Sequence, residues 1–397
     1  MSLSIPDAVI SDIDLFADDV LNSPYAAYQT LRDVGPAAWL ARHDVWFIGR
    51  FEQARDALQN WETFSSARGI GLNPQINAAW ADALICVDPP RHTEMRKLIT
   101  DRLGPRQLKP VEETIERRCQ KIVELLVARE QFDAVADLAR DLPVHVIMDL
   151  IGWPDDVRDE LLELADGSFD PCGPWDKPRT QNAFPNLERI YHLVSGIYDS
   201  GTLTPGGFGS TVADAAGRGE ITRETAIGML LGYVVAAFDT TISAVASGIW
   251  LFAGNPDQWE LLRSDPSLVA TAFNEIVRME SPIQHFSRVT TRDVDMGEGV
   301  VIPADARVIV SYGCANRDER RFDDPDRFDI TRKGVGHLGF GMGNHACAGQ
   351  SLARLEGHSI FKTLAQQVAR FELVGEPERR LYNVTRSFSR VPVRALA

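Results

Sequence analysis

Hydrophobic and polar positions change their period several times along this chain. Residues 24–35 (PYAAYQTLRDVG) repeat apolar positions at helical spacing, and the two segments that follow, AAWLAR and DVWFIGR, read as strands. FEQARDALQN then predicts a short amphipathic helix. From about residue 104 to 249 the period is predominantly helical, with loops expected around 167–178 and 201–209. After Pro282 come turn-separated strands, RVTTRDVDM, VVIP and RVIVSYG. An irregular stretch, 315–343, leads into a last long helix that starts near Cys347. The expected class is mainly α: α+β with helix in excess and small sheets at one side.

Residues 227–253 are apolar on nearly every face and carry one charge, Asp239. A membrane span would place that acid in hydrocarbon, so a helix threading the middle of a large core is the better expectation. The 397 residues hold no linker, repeat or low-complexity tract, which points to one domain over 1–397. A formal net charge of −15 argues against nucleic acid as a partner. The acidic N-terminus lacks a basic and apolar leader, so a cytoplasmic location is expected. Five widely spaced cysteines (Cys86, Cys119, Cys172, Cys314, Cys347) suggest neither a disulfide framework nor structural zinc. Four of them read as small core residues.

The fifth has unusual surroundings. Phe340-Gly341-Met342-Gly343-Asn344-His345-Ala346-Cys347-Ala348-Gly349 places two glycines before the cysteine, where the backbone can turn tightly and approach a flat ligand. The helical repeat of Leu352, Leu355, Ile360, Leu364 and Val368 follows, so Cys347 lies near a helix N-terminus that stabilises a thiolate. A zinc site from His337, His345 and Cys347 lacks the usual ligand spacing.

The same string matches the haem-binding signature FGxGxHxCxG, and by it the chain resembles the cytochrome P-450 family. Other segments agree in order. Glu275 and Arg278 form an ExxR pair on one helix face, and Arg327 lies in Pro325-Asp326-Arg327-Phe328, resembling the family's PxRF element. The resemblance implies that Glu275, Arg278 and Arg327 form an ion network behind the cysteine loop. His92 and Arg96, one turn apart in DPPRHTEMR (88–96), together with Arg288 and His345, match the family's haem propionate positions. Phe340, Gly341 and Cys347 match its haem contacts, Cys347 as the axial iron ligand. Ala236-Ala237-Phe238-Asp239-Thr240-Thr241 resembles the AGxDTT oxygen-activation sequence. There Asp239 relays protons and Thr240 hydrogen-bonds where dioxygen binds. Ala237 departs from the usual glycine.

The resemblance implies haem b, dioxygen as co-substrate, and NAD(P)H electrons brought by a separate ferredoxin and reductase to a monomer. Arg91, Arg96, Lys97, Arg102 and Arg106 are the basic cluster where an acidic ferredoxin would dock. FSSARGIGL (64–72), LTPGGFG (203–209), ESPIQHFSRVTTRDV (280–294) and DDPDRFDITRK (323–333) resemble the bacterial subgroup that O-demethylates para-methoxybenzoates. The positions that hold the benzoate carboxylate there correspond here to Ala79, Asp82, Gly232 and Val235, which would not solvate one. The expected substrate is therefore a small neutral aromatic, an aryl methyl ether or alkylphenol, in a pocket formed by Ile85, Phe169, Cys172, Val235, Ala236, Thr240, Ser287 and Phe388. A para-substituted benzoate and a terpenoid are the alternative substrates, and a non-catalytic haem-binding or sensor protein is the alternative of a different class. Asp239 and Thr240 speak against a peroxygenase.

Overall fold

The apolar stretch around Asp239 is the interior of one helix, Arg223–Gly254, in a computed structural model that describes residues 5, 7–332 and 336–396. Its N-terminus is capped by Thr222, whose side chain accepts the Thr225 N–H, with Glu224 in the first turn. By length and composition this helix could cross a membrane, yet 67 % of its most apolar window is buried inside the protein. Helices Asp141–Ile151, Arg158–Ala165, Phe184–Ser200, Phe208–Gly217, Val269–Glu280 and Gln350–Gln367 pack around it. A helix apolar all round is explained by that enclosure. With 56 % of the residues helical, the class is mainly α, as the periodicity indicated.

The central helix serves two cores. Val234 joins the helical core with Phe238, Phe252 and Phe361, while its neighbour Val235 packs with Trp46, Phe169, Phe286 and Tyr312 on the sheet side. The sheet has six strands in the order Ile10–Ser11, Ala38–Leu40, Val45–Ile48, Arg307–Ser311, His285–Thr290 and Phe64–Ser65. Its centre is the parallel pairing of Trp46 with Val308 and the antiparallel pairing of His285 with Ser311. The helix Tyr25–Val34, the helix Phe51–Gln59 and the strands after Pro282 lie where the hydrophobic period placed them. The C-terminal strands were not anticipated: Arg370–Leu373 and Pro392–Leu396 pair with Gln131–Asp133, and Glu378–Leu381 pairs with Arg386–Arg390. Arginines in these strands blur the alternation on which a strand reading depends.

The ion network differs from expectation in one member. Arg278 binds Glu275 through two hydrogen bonds, Nε to Oε2 at 2.7 Å and one Nη to Oε1 at 2.8 Å. It also donates to the carbonyls of Asn316 and Pro325, tying its helix to the chain that leads to Cys347. Asn316 continues the link by accepting the Leu338 N–H at 2.7 Å. Arg327 does not join: its side chain is 65 % exposed and pairs with Asp329. The third cation is Arg332, 11 % exposed, with Nε 3.2 Å from Glu275 Oε1. The PxRF turn presents the Arg327 carbonyl inward, where Arg278 and Arg332 donate to it, and this sends its side chain to solvent. Lys333, the last residue of the DDPDRFDITRK string, lies outside the described residues.

Candidate functional site

Cys347 is held between a turn and a helix. The turn closes with Gly341 N–H on the Leu338 carbonyl at 2.8 Å and Cys347 N–H on the Phe340 carbonyl at 2.7 Å. Gly341 has φ +65°, the left-handed region closed to most side chains. Gly343, at φ +68°, also runs so close to Leu58 that a Cβ would sit 2.4 Å from its carbonyl oxygen. The helix Gln350–Gln367 follows. Burial raises the Cys347 thiol, while the N–H groups of Gly349 and Gln350 and the guanidiniums of Arg96 and Arg354 pull it down. Arg354 also lies over the Phe340 ring, 4.6 Å from its centroid. By contrast, Cys86, Cys119 and Cys314 are buried thiols pushed up to about 12, and all five cysteines are free.

The four expected propionate residues converge. The rings of His92 and His345 meet edge to face, 4.4 Å apart. Arg96 donates to the Ala346 carbonyl beside them, and Arg288 is buried close by. Burial together with Arg288, His92 and Arg96 pushes His345 down to about 2. Both histidines have a buried Nε2 without a hydrogen-bond partner among the described residues. The nearby acid, Asp88, is committed to Ser65 Oγ and the Ser66 N–H. Two guanidiniums beside two neutral imidazoles whose buried nitrogens lack partners fit an anionic ligand, and the two carboxylates of haem fit this cradle.

On the central helix, Ala236 is exposed and Ala237 and Thr240 half-buried, in a segment otherwise enclosed. Thr240 Oγ1 donates to the Ala236 carbonyl at 2.9 Å, a helical back-bond. Asp239 turns the other way. Its carboxylate is buried and accepts the Gly167 N–H at 3.2 Å, and burial pushes it up to about 7.

The expected pocket residues divide. Phe169, Cys172 and Val235 share one apolar cluster with Ile70, Cys86, Phe286 and partly buried Ile85, and the Phe169 ring meets Trp80 edge to face at 6.0 Å and Phe286 at a tilt at 5.4 Å. Ser287 is near this cluster without a free hydroxyl, since it donates to Gly71 O and accepts from Arg307. Phe388 is elsewhere. It lies under the Arg379 guanidinium and against Trp250, fifteen residues and about 22 Å along the helix from Val235. The bend that precedes its strand brings Val384 into the cluster instead. Ala79 and Asp82 are exposed, and Asp82 pairs with Arg91 at 2.5 Å, so the acid expected in the pocket is on the surface. Of the basic cluster, Lys97 and Arg106 remain exposed, whereas Arg96 turns inward. Sequence reasoning missed Asp170, a buried acid between Phe169 and Pro171 whose lone charge in an apolar run was a usable signal.

It also missed Glu356, fully buried on the helix that follows Cys347, with neither carboxylate oxygen hydrogen-bonded among the described residues. Burial raises Glu356 from 4.5 to about 8. The unfolded chain releases this proton first, so stability is full below about pH 4.5 and declines as the pH rises towards 8. Glu356→Gln removes that decline. Thermal unfolding should show the variant several degrees more stable than wild type at pH 8.5, and level with it at pH 5. A pH-independent difference would refute the assignment.

Comparison with known proteins agrees with this geometry. A family model described as cytochrome P-450 matches residues 210–394. The cytochrome p450 CYP199A2 of Rhodopseudomonas palustris is 38 % identical over 385 residues, spanning 96 % of this chain and 93 % of its own. Linalool 8-monooxygenase of Pseudomonas putida is 30 % identical over 382 residues, spanning 92 % and 93 %. Among solved structures, cytochrome P-450 CREJ in complex with (4-ethylphenyl) dihydrogen phosphate superposes with a TM-score of 0.85 at 26 % identity, covering 95 % of this chain and 98 % of that one. Sequence likeness over nearly the whole chain, the shared fold and the cysteine loop agree: the protein belongs to the cytochrome P-450 family, an oxidoreductase family of monooxygenases.

Proposed function

We propose that this protein is a haem-thiolate monooxygenase that hydroxylates or O-demethylates a small neutral aromatic molecule. The observation that carries the reading is the pairing of the Cys347 loop with buried His92 and Arg288 and half-buried Arg96 and His345. Haem b, when bound, supplies dioxygen binding and reductive O–O cleavage, which thiolate donation favours. Cys347 would ligate its iron, His92, Arg96, Arg288 and His345 would hold its propionates, and Phe340 and Gly341 would contact it. On the other face Asp239 holds a proton near neutral pH, and Thr240 can rotate its hydroxyl from the Ala236 carbonyl towards the site of oxygen chemistry.

Substrate charge follows from what lines the distal side. Phe169, Cys172, Val235, Phe286 and Val384 offer apolar surface; Asp170 and Asp239 are buried acids nearby, and the buried Arg288, which bears on Cys86 and Tyr312, is assigned on this reading to the propionates. The nearby guanidinium, Arg307, is committed to Gly69 O, Arg68 O and Ser287 Oγ. A benzoate carboxylate would be desolvated beside acids and without a cation. On this reading the enzyme is a cytoplasmic, single-domain monomer. NAD(P)H-derived electrons reach it through a ferredoxin and reductase that dock near Lys97, Arg102 and Arg106.

Spin-state titration of the haem-loaded protein tests the substrate class. Neutral methoxyarenes or alkylphenols should bind at least about tenfold more tightly than 4-methoxybenzoate, a difference of about 1.4 kcal/mol. Equal binding and efficient demethylation of the benzoate would overturn the neutral-substrate reading. A preference for linalool-like alcohols would replace it with a terpenoid one.

A further inference from the structure

The helix Val269–Glu280 ends on an acid, where the helix dipole opposes a negative charge, and Glu280 is only 1 % exposed. A carboxylate so placed needs compensation, and other segments supply it. Its Oε2 lies 2.7 Å from Arg379 Nη1 and accepts from Arg386 Nε at 3.2 Å, one guanidinium from each strand of the C-terminal hairpin. Its Oε1 accepts the Tyr25 hydroxyl at 2.9 Å and lies 4.0 Å from Arg317. Burial would raise this carboxyl, but Arg379, Arg386 and Arg317 hold it down to about 2, so the charge persists at any working pH. The residues after Glu280 follow the same hairpin. The Arg386 N–H donates to the Pro282 carbonyl at 2.9 Å, Ile283 bridges Thr385, and the Gln284 N–H donates to the Val384 carbonyl at 2.8 Å. Gln284 is fixed in turn, its Nε2 donating to the Glu280 carbonyl at 2.9 Å and its Oε1 accepting the Tyr28 hydroxyl. Two residues on, Phe286 enters the apolar cluster of Phe169 and Val235, and Val384 enters it from the hairpin. The far side of the turn is tied as well: Tyr382 donates to Asp166, with which Arg380 pairs, and the Asn383 N–H donates to Asp170 at 2.6 Å.

We propose that Glu280 is a positioning residue for the substrate: by clasping both strands of the hairpin it sets where Val384 stands against Val235 and Phe286, and so which position of a bound aromatic is presented for oxidation. This rests on the reading of that cluster as the substrate side. Glu280 acts through Val384 and touches no reacting atom. The lever is short, because Val384 is two residues from Arg386 and its carbonyl is held by the segment that Glu280 begins. With Glu280 neutral, the guanidiniums of Arg379 and Arg386, which bear on each other, become neighbouring like charges in a buried place, and the hairpin relieves them by moving. A misplacement of about 1 Å, even one caused far from the chemistry, can cost about a hundredfold in rate, so a small movement is enough.

The test uses haem-loaded enzyme reconstituted with a ferredoxin and its reductase, and 4-ethylanisole, a neutral probe with an O-methyl group at one end and an ethyl group at the other. It reads the ratio of demethylated to ethyl-hydroxylated product, KM, kcat and the ferrous–CO band. Glu280→Gln should change the product ratio at least about fivefold and raise KM about tenfold, with the red-shifted band intact. Arg379→Lys keeps a cation but loses the planar fork, should move the ratio in the same direction, and keeps the test open if Glu280→Gln misfolds. Tyr25→Phe removes the bond to the N-terminal helix alone, and should lower stability while leaving the ratio as in wild type. A wild-type ratio in both Glu280→Gln and Arg379→Lys would overturn the proposal, and so would a ratio moved as far by Tyr25→Phe, since general loosening would then be the cause. Val384→Ala separates the two readings: a shifted ratio there, with Glu280→Gln normal, overturns the positioning role alone. An unchanged ratio and KM in Val384→Ala, or no oxidation of the probe by wild type, overturns the substrate reading beneath it.

Discussion

Cys347→Ala should abolish the red-shifted Soret band of the ferrous–CO complex and reduce product formation below detection, while Cys119→Ala leaves both as in wild type. The contrast follows from the two environments. Cys119 is a fully buried thiol pushed up to about 12, with Glu356 and Glu116 raising it further after burial. A neutral thiol there is a core residue, and its loss removes only a small apolar volume. Cys347 is half-buried just before a helix; burial raises its thiol, but two N–H groups and two guanidiniums oppose that rise, which nothing does so fully at Cys119. Alanine leaves those donors in place without an anion, so haem loses its axial bond and the electron donation that favours O–O cleavage. The propionate cradle is untouched by this substitution. Residual haem binding with an ordinary Soret position is therefore the expected state. A retained red-shifted band would remove Cys347 from the ligand role.

How much was readable in advance depended on whether a function was written in neighbouring residues. The cysteine loop, the His92–Arg96 turn and the Asp239–Thr240 pair are local strings; His92 meets His345 beside the cysteine loop, and Asp239 and Thr240 sit on the central helix, Asp239 turned towards Gly167. The central helix was equally plain, because an all-round apolar pattern has few solutions in a soluble chain. The pocket was less legible. Which of Val384 and Phe388 faces Val235 depends on a hairpin whose arginines mask its period, and a slip of four residues moves the side chain to the far end of the helix. Asp82 is similar: its sequence neighbours suit a pocket rim, yet Arg91 on the next helix holds it at the surface. Arg380 and Tyr382 lie more than two hundred residues from Asp166, so nothing local announced their meeting.

Arg278→Ala should destabilise the folded protein by about 3–5 kcal/mol, the cost of leaving a buried charge without its partner. Glu275 and Arg278 are 4 % and 1 % exposed, and the alanine variant leaves the Glu275 carboxylate in that interior with only Arg332 and the Asp329 N–H on one oxygen and nothing on Oε2 among the described residues. It also frees the carbonyls of Asn316 and Pro325, so the loss spreads to the segment that carries the Cys347 loop. Haem retention should fall with stability. The other two arginines then decide how the network is completed. Arg332→Ala removes a cation from Glu275 and its bonds to the Asp323 and Asp324 carbonyls, and should cost about 1–3 kcal/mol. Arg327→Ala removes an exposed pair with Asp329 and should cost less than about 1 kcal/mol. Denaturant unfolding of the three variants, followed with haem absorbance and helical signal together, checks the order. If Arg327→Ala proved as damaging as Arg278→Ala, the third cation would be Arg327 after all. The inward turn of its carbonyl would then be the wrong account of why its side chain faces water.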